Sequence, residues 1–151
     1  MTARELAQFC MAYETYQLGG LSPSALENTL GVLLSKGRII WADDAYGVLA
    51  GYAEVWRIGY EQLGRIVCKD VFDVGAEDIS TGPVCLLENV TIRPDCRQKG
   101  TVYRNLREQF YEQNQDASIF CGHARRKSVG LWKTFRNLGH CERNLSHSLA
   151  I

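Results

Sequence analysis

The spacing of apolar residues divides the chain into helical and extended segments. In residues 3–18 apolar side chains recur at every third or fourth position, which predicts an amphipathic helix that ends at the following pair of glycines. Leucines repeat at the same spacing between Ser22 and Gly37, with Ser22 as N-cap and Pro23 in the first turn, so a second helix is predicted there. The apolar stripe of residues 101–114 predicts a third helix.

Other segments carry the pattern of β-strands. Residues 39–41 and 48–58 flank a turn and alternate in places with a period of two, which predicts an antiparallel hairpin. Residues 84–92 are rich in aliphatic and β-branched side chains and stop before a proline, so they predict a buried strand. Residues 118–121 predict a short strand, and the tail, residues 140–151, is expected to supply a last one.

Two further segments complete the order of elements. Residues 127–138 are predicted as a fourth helix that ends at Gly139, and residues 59–82 as an insertion with a short helix or an irregular segment followed by a loop. The resulting order of helices and strands is typical of a mixed α/β or α+β sheet domain. Because the chain has 151 residues, we expect residues 1–151 to form a single domain.

Composition narrows the classes of function. Apolar residues make up 46% of the chain and charged residues 23%, which is ordinary for a globular protein. Lys plus Arg equals Asp plus Glu at 17 each, so overall charge gives no case for binding nucleic acid or an anionic membrane. No apolar run has the length of a membrane span. The 6 cysteines form no C-x-x-C pair, so we predict no metal site. Residues 1–16 lack the apolar core of a signal peptide, so we expect a cytoplasmic, reducing location.

The segment I-R-P-D-C-R-Q-K-G, residues 92–100, joins the predicted strand 84–92 to the predicted helix 101–114. A helix N-terminus offers unsatisfied N–H groups and the positive end of a dipole, which together bind phosphate. Arg97 and Lys99 add positive charge, and Gly100 would let phosphates approach the main chain closely. A diphosphate ligand is therefore one interpretation, and a solvated basic turn is the alternative.

This strand, P-x-x-R-x-x-G turn and helix resemble the coenzyme A-binding motif of the GNAT acetyltransferase superfamily. Arg97 and Gly100 match its first two fixed positions, while Val102 stands where a second small residue is expected and has an alternative place in the core. The stretch S-V-G-L-W-K-T-F-R-N-L-G, which begins at Ser128, resembles the later helix of the family. In that helix a Tyr often acts as general acid, and here the position is Phe135.

The resemblance implies a fold and a cofactor site. We expect a central, mostly antiparallel sheet with splayed strands and about four flanking helices, with acetyl-coenzyme A entering between strands 84–92 and 118–121. Main-chain groups of Val90 and Ile92 would pair with the pantetheine arm, and N–H groups from residues 98–102 would hold the pyrophosphate. The residues implied for cofactor binding are Val90, Ile92, Arg97, Gln98, Lys99, Gly100, Thr101, Val102 and Ser128.

Glu88 is the first candidate for the general base that takes the proton of an attacking amine. The family often places a Glu on this strand near the acetyl group, and desolvation of a carboxylate in apolar surroundings raises its pKa. The alternative for Glu88 is a solvated or ion-paired strand residue. Glu54 and His123 are further candidates for the base.

The sequence is compatible with three functions. The first is an N-acetyltransferase that moves an acetyl group from acetyl-coenzyme A to an amine, on a protein or a small molecule that the sequence does not identify. The second is a non-catalytic module that keeps the fold, and the third is a related enzyme with an unusual acceptor such as nucleic acid, for which the basic run Arg125–Lys127 is the support. The insertion 59–82 would shape either the acceptor site or a homodimer contact.

Overall fold

The chain is described by a computed structural model over residues 1–13, 21–69, 82–98, 100–126, 129–135 and 142–144. Its α-helices within these ranges are α1 (Ala3–Tyr13), α2 (Pro23–Ser35), α3 (Tyr60–Lys69) and α4 (Thr101–Glu112). Its strands are β1 (Ile39–Asp43), β2 (Leu49–Ile58), β3 (Val84–Ile92), β4 (Ile119–Arg126), β5 (Val129–Phe135) and β6 (Glu142–Asn144). They are hydrogen-bonded in the order β1-β2-β3-β4-β5-β6. The predicted fold class, a mixed sheet with about four helices, is confirmed.

Most predicted elements are confirmed, with shifts at their ends. The α2 helix begins as expected: the Ser22 hydroxyl accepts a hydrogen bond from the Ala25 N–H at 3.2 Å, and Pro23 occupies the first turn. The first part of the predicted helix 3–18 is α1, whereas residues 14–20 lie outside the described residues. The insertion 59–82 begins with the helix α3, and residues 70–81 also lie outside them.

One predicted element is wrong. Residues 127–138 were expected to form a helix, but residues 129–135 form the strand β5, which pairs with β4 in antiparallel register from Phe120↔Phe135 to Arg126↔Val129. The sequence V-G-L-W-K-T-F has apolar residues at helical spacing and also β-branched and aromatic residues at a spacing of two, so pattern alone leaves it ambiguous. Pairing with β4 decides for the strand. The β6 strand pairs with β5 in antiparallel register, in agreement with the last strand predicted within residues 140–151.

The chain groups into two compact units, each with its own contacts. Unit 1 comprises Met1–Glu54 and Asn89–Gln109, and unit 2 comprises Val55–Glu88 and Phe110–Ile151. The expectation of a single domain over residues 1–151 stays a prediction.

In unit 1, helices cover both faces of the antiparallel β1–β2 hairpin. Consecutive residues of a strand point to opposite faces. Tyr52 meets Phe9 of α1, with ring centroids 6.0 Å apart and an interplanar angle of 85°. Gly51 lies on the opposite face beside Val102 of α4. The core of this unit therefore has two layers, and the start of α4 is anchored directly on the main chain of β2.

A side chain of α4 forms a hydrogen bond to the outer strand of unit 1, β1. The Gln109 amide donates a hydrogen bond of 2.8 Å to the main-chain oxygen of Trp41, and the β1–β2 register shifts between Ala42 and Asp43. Both features interrupt the regular edge that β1 would otherwise present.

In unit 2, β3 and β4 are parallel, in register from Val84↔Ile119 to Leu87↔Gly122. Phe120 packs edge-on against Phe110, at 5.4 Å between ring centroids and an angle of 79°. No helix of the described residues has the length and apolar character that crossing a membrane requires.

Candidate functional site

The turn between β3 and α4 has the geometry of an anion-binding helix start. A short 3-10 turn, Pro94–Cys96, follows β3. Gly100 then adopts φ +65°, and its carbonyl accepts the hydrogen bond of the Arg104 N–H at 3.0 Å, so that α4 starts at Thr101. The first N–H groups of an α-helix have no partner within the helix and point outward with the positive end of the dipole.

The space beside Gly100 is open. A Cβ added there would meet no atom within 4 Å among its described neighbours, and the positive φ is one that glycine adopts without the strain other residues incur. An anion could therefore reach the main chain at this point. This observation fits the pyrophosphate of a coenzyme A-type ligand, which the sequence predicted for this turn.

Arg93 connects the turn between β3 and α4 to the β1–β2 hairpin by hydrogen bonds. Its guanidinium donates to Asp44 at 2.6 Å, to Asp95 at 2.7 Å and to the Leu49 carbonyl at 3.1 Å, and its own N–H donates to the Ala50 carbonyl at 2.8 Å. The bonds to the two carboxylates raise the pKa of Arg93 further above its usual value, with Asp95 contributing first and Asp44 next. The guanidinium in turn lowers the pKa of both carboxyls. The positive charge of Arg93 thus serves contacts within the protein.

The other residues expected to bind the cofactor divide by position. Gln98 and Thr101 are exposed in the turn, and Val90 is 39% exposed on β3. Arg97 is exposed, and its Nε donates a 2.8 Å hydrogen bond to the Ile92 carbonyl. Arg97 therefore braces the end of β3 and occupies the Ile92 carbonyl, one of the main-chain groups of Ile92 that the resemblance assigned to the pantetheine arm.

Two of the expected cofactor residues, Lys99 and Ser128, lie outside the described residues. The stretch after Ser128 is the strand β5 rather than the helix that the resemblance implied. Phe135 accordingly lies on a strand, opposite Phe120 in the β4–β5 register.

The side chain of Val102 belongs to the core of unit 1. Its side chain is 7% exposed, and its Cγ1 lies 2.8 Å from where a Cβ of Gly51 would stand. The Thr91 carbonyl and the Ile92 side chain also approach that point, at 3.1 and 3.2 Å. The larger residue at position 102 is therefore accommodated by a glycine on β2. Sequence reasoning missed Gly51, although a glycine within a strand signals a close approach.

The three candidates for the base lie in different settings. Glu88 is 3% exposed near the end of the unit 2 part of β3, one residue after the last described β3–β4 pair, Leu87↔Gly122. Glu54 is 5% exposed on β2 and accepts a 2.9 Å hydrogen bond from the Asn89 side-chain amide. His123 lies on β4, opposite Trp132 in register.

Asn89 has an unusual backbone conformation that sequence reasoning missed. It is the one non-glycine residue with positive φ, at 48°, in the described part of the chain. Asparagine tolerates this left-handed region better than most residues, so an Asn inside a β-branched run was the available signal.

The buried thiol of Cys121 in unit 2 is a poor nucleophile. Burial raises the pKa of Cys121 to about 12, and the nearby Cys85 thiol adds to the effect. Since the thiolate is the reactive form, Cys121 is inert near neutral pH. Within the described ranges, no three His, Cys, Asp or Glu side chains cluster in a way that could hold a metal ion.

Comparisons with known proteins identify the fold. No protein-family model matches the sequence, and no curated protein matches it. The loading GNATL domain of CurA from Lyngbya majuscula matches with a TM-score of 0.59 and 17% identity, over 81% of this chain and 59% of that chain. The GphF GNAT-like decarboxylase, solved in complex with isobutyryl-CoA, matches with a TM-score of 0.58 and 13% identity, over 82% of this chain and 61% of that one.

A third structure, described as an acetyltransferase, matches with a TM-score of 0.47 and 16% identity, over 81% of this chain and 75% of that one. The chain spans about three-fifths of the length of the first two structures. Together, the first two matches show that this chain has the GNAT-like fold, which confirms the resemblance at the level of the fold.

Proposed function

We propose that this chain is an acyltransferase that binds acetyl-coenzyme A and transfers its acetyl group to an amine by direct attack. The observation that carries the proposal is the turn between β3 and α4, where Gly100 leaves open space beside the first N–H groups of the helix. The likeness to a GNAT-like decarboxylase solved with isobutyryl-CoA adds support, because that protein binds an acyl-coenzyme A on a similar fold.

In this proposal, the main-chain N–H groups of residues 98–102 hold the pyrophosphate at the positive end of α4. Arg97 contributes charge from the exposed side of the turn. Arg93 holds the turn by its hydrogen bonds, and Gly51 leaves room for Val102 at the start of α4. Acetyl-coenzyme A supplies the thioester that the amine attacks. The main chain at Val90 positions the pantetheine arm along the exposed side of β3.

Glu88 is proposed as the base. The amine nitrogen forms a bond to the thioester carbon as the carbon–sulfur bond breaks, and the ammonium proton passes to the Glu88 carboxylate. The departing thiolate takes a proton from water, because Phe135 has no acidic hydrogen to donate. Glu88→Gln should then lower turnover about 100-fold with coenzyme A affinity preserved. An unchanged turnover would remove Glu88 from this role.

Calorimetric titration with acetyl-coenzyme A and with coenzyme A tests the cofactor without knowledge of the acceptor. We expect binding in the micromolar range, and we expect Gly100→Glu to abolish it through bulk and charge repulsion. Gly37→Glu is a matched control, because Gly37 also has φ +65° with no neighbour within 4 Å, so both variants incur the same backbone strain.

If Gly37→Glu binds normally and Gly100→Glu does not, the turn is the cofactor site. Equal binding by both variants would defeat the assignment of this turn. No binding by the wild-type protein at millimolar ligand would defeat the proposed function itself.

A non-catalytic module with the same fold is the second candidate. The observation in its favour is the strand β5, which replaces the helix expected to carry the general acid. Thioester consumption in the presence of a panel of amines separates the two candidates, since a binding module would hold coenzyme A without releasing thiol.

A further inference from the structure

Asn89 interrupts β3 at a defined point. The strand runs from Val84 to Ile92, and within it Asn89 alone takes the left-handed conformation, at φ 48°. A left-handed residue inside a strand turns the following peptide group away from the direction it has in a regular strand. The following residue, Val90, is 39% exposed, whereas Thr91 is buried again.

The conformation of Asn89 is tied to a buried carboxylate on the neighbouring β2 strand. The Asn89 side-chain amide donates to Glu54 Oε1 at 2.9 Å, and both residues belong to unit 1. Glu54 is 5% exposed, and its place on β2 is fixed by pairing with Ile39 of β1. A hydrogen bond to a buried carboxylate is stronger than one between neutral groups, so Glu54 can hold Asn89 in a conformation that costs energy.

We propose that Glu54 is a positioning residue for acyl transfer: through Asn89 it fixes the direction of the Asn89–Val90 peptide, and with it the pantetheine arm that lies along Val90. This inference rests on the proposed function. It also gives Glu54 a role other than base, because its carboxylate serves as the acceptor for an amide.

Four variants separate the hydrogen bond from the backbone conformation. Glu54→Gln keeps a carbonyl oxygen that can accept from Asn89 and removes the charge, while Glu54→Ala removes the acceptor. Asn89→Gly removes the side chain but adopts positive φ without strain, and Asn89→Ala loses both the side chain and the tolerance for that conformation.

The measurements are thiol release from acetyl-coenzyme A with hydroxylamine as nucleophile, coenzyme A affinity by calorimetry, and amide exchange at residues 89–91. We expect kcat to fall about tenfold in Glu54→Ala and Asn89→Ala, since a displaced arm lowers reactivity more than affinity. Coenzyme A affinity should change less than about threefold in both variants, because the turn that holds the pyrophosphate is untouched.

Glu54→Gln should keep most of the turnover and the wild-type pH profile, and Asn89→Gly should fall between the wild type and Asn89→Ala. Faster amide exchange at residues 89–91 in Glu54→Ala, but not in Glu54→Gln, would show the tie directly and requires no ligand.

Three outcomes would overturn the inference. Equal loss of turnover in Glu54→Gln and Glu54→Ala would make the carboxylate charge, rather than the hydrogen bond, the essential property. Unchanged kcat and exchange in Glu54→Ala would remove any positioning role while the proposed function stood. A wild-type protein that neither binds nor cleaves acetyl-coenzyme A would defeat the proposed function and, with it, the role assigned to Glu54.

Discussion

Among the described residues, Gly82 of unit 2 and Gly51 of unit 1 are both tightly surrounded, and the two differ in what surrounds them. In unit 2, a Cβ at Gly82 would come within 2.5 to 2.8 Å of main-chain atoms of Ile58. In unit 1, a Cβ at Gly51 would come within 2.8 Å of the Val102 side chain, with the Thr91 carbonyl at 3.1 Å. The main-chain atoms of a paired strand cannot shift to make room for an added Cβ. A side chain can change rotamer or be replaced by a smaller one. Unit 1 therefore has more freedom to adjust near the proposed cofactor turn.

Two arginines, one in each unit, also differ in what they support. Arg57 of unit 2 donates to the Gly82 carbonyl at 2.7 Å and forms a two-point contact with Asp116 at 2.9 and 3.0 Å. Arg93 of unit 1 makes a comparable set of bonds, but it holds the turn whose N–H groups lead into α4. The first arginine joins structural segments, and the second supports a surface that we propose binds a ligand.

The largest expected effect is that of Gly82→Ala. Because the added methyl group would overlap the Ile58 main chain, we expect unfolding free energy to fall by about 3 kcal/mol or more. The urea midpoint measures this. Gly64→Ala on α3 is the control, since its methyl group meets no described atom within 4 Å and alanine favours a helix. Equal midpoints for the two variants would contradict the comparison.

Arg57→Ala and Arg93→Ala come next. Arg57→Ala should cost about 3 kcal/mol, mainly because the buried Gly82 carbonyl loses its partner and a cavity forms, the Asp116 side chain being 66% exposed. Arg93→Ala should cost about 2 kcal/mol and also weaken coenzyme A binding about tenfold by loosening the turn. Urea midpoints and calorimetry on both variants check this. Weaker coenzyme A binding in Arg57→Ala would remove the distinction between the two arginines.

A double substitution tests the freedom of unit 1. Gly51→Ala should cost about 2 kcal/mol, and adding Val102→Ala should recover about 1 kcal/mol, since the smaller side chain relieves the overlap. The four urea midpoints of this double-mutant cycle give the coupling. Strictly additive losses would place the strain at the Thr91 carbonyl instead.

The smallest expected effect is in the acid range. Hydrogen bonds from Arg93 lower the pKa of Asp44 and Asp95, and those from Arg57 lower the pKa of Asp116, all from an ordinary value of 3.8. A lowered pKa in the folded state gives stability that is complete above about pH 5 and lost as pH falls through the lowered values. Arg93→Ala should therefore lose less stability than the wild type between about pH 5 and pH 3. Urea midpoints across this range measure the difference, and parallel curves would refute it.

The elements α2, β1, β2, β3 and α4 could be predicted because each carries its own local signal. Ser22 and Pro23 mark the start of α2, a β-branched run marks β3, and Gly100 marks the start of α4. These signals depend on neighbours within a few residues. The proposed phosphate turn could be predicted for the same reason.

The features that could not be predicted depend on residues distant in sequence. Residues 129–135 become a strand because β4 is available as a partner, and Val102 is tolerated because Gly51 lies opposite it. The bond from Asn89 to Glu54 spans 35 positions of sequence. A pattern read along one chain carries no information on which distant residues will meet, so these contacts required the structure.

Gln109 has a consequence for how this protein behaves at high concentration. A strand edge with vacant carbonyls can recruit a strand from another molecule and seed aggregates. The 2.8 Å bond from Gln109 to the Trp41 oxygen occupies one of those carbonyls, and Asn105 holds the Gln109 amide at 2.6 Å. The α4 helix therefore begins at the proposed ligand turn and, near its other end, protects the edge of the sheet from pairing with another molecule. A substitution of Gln109 should lower the solubility of the protein before it lowers its activity.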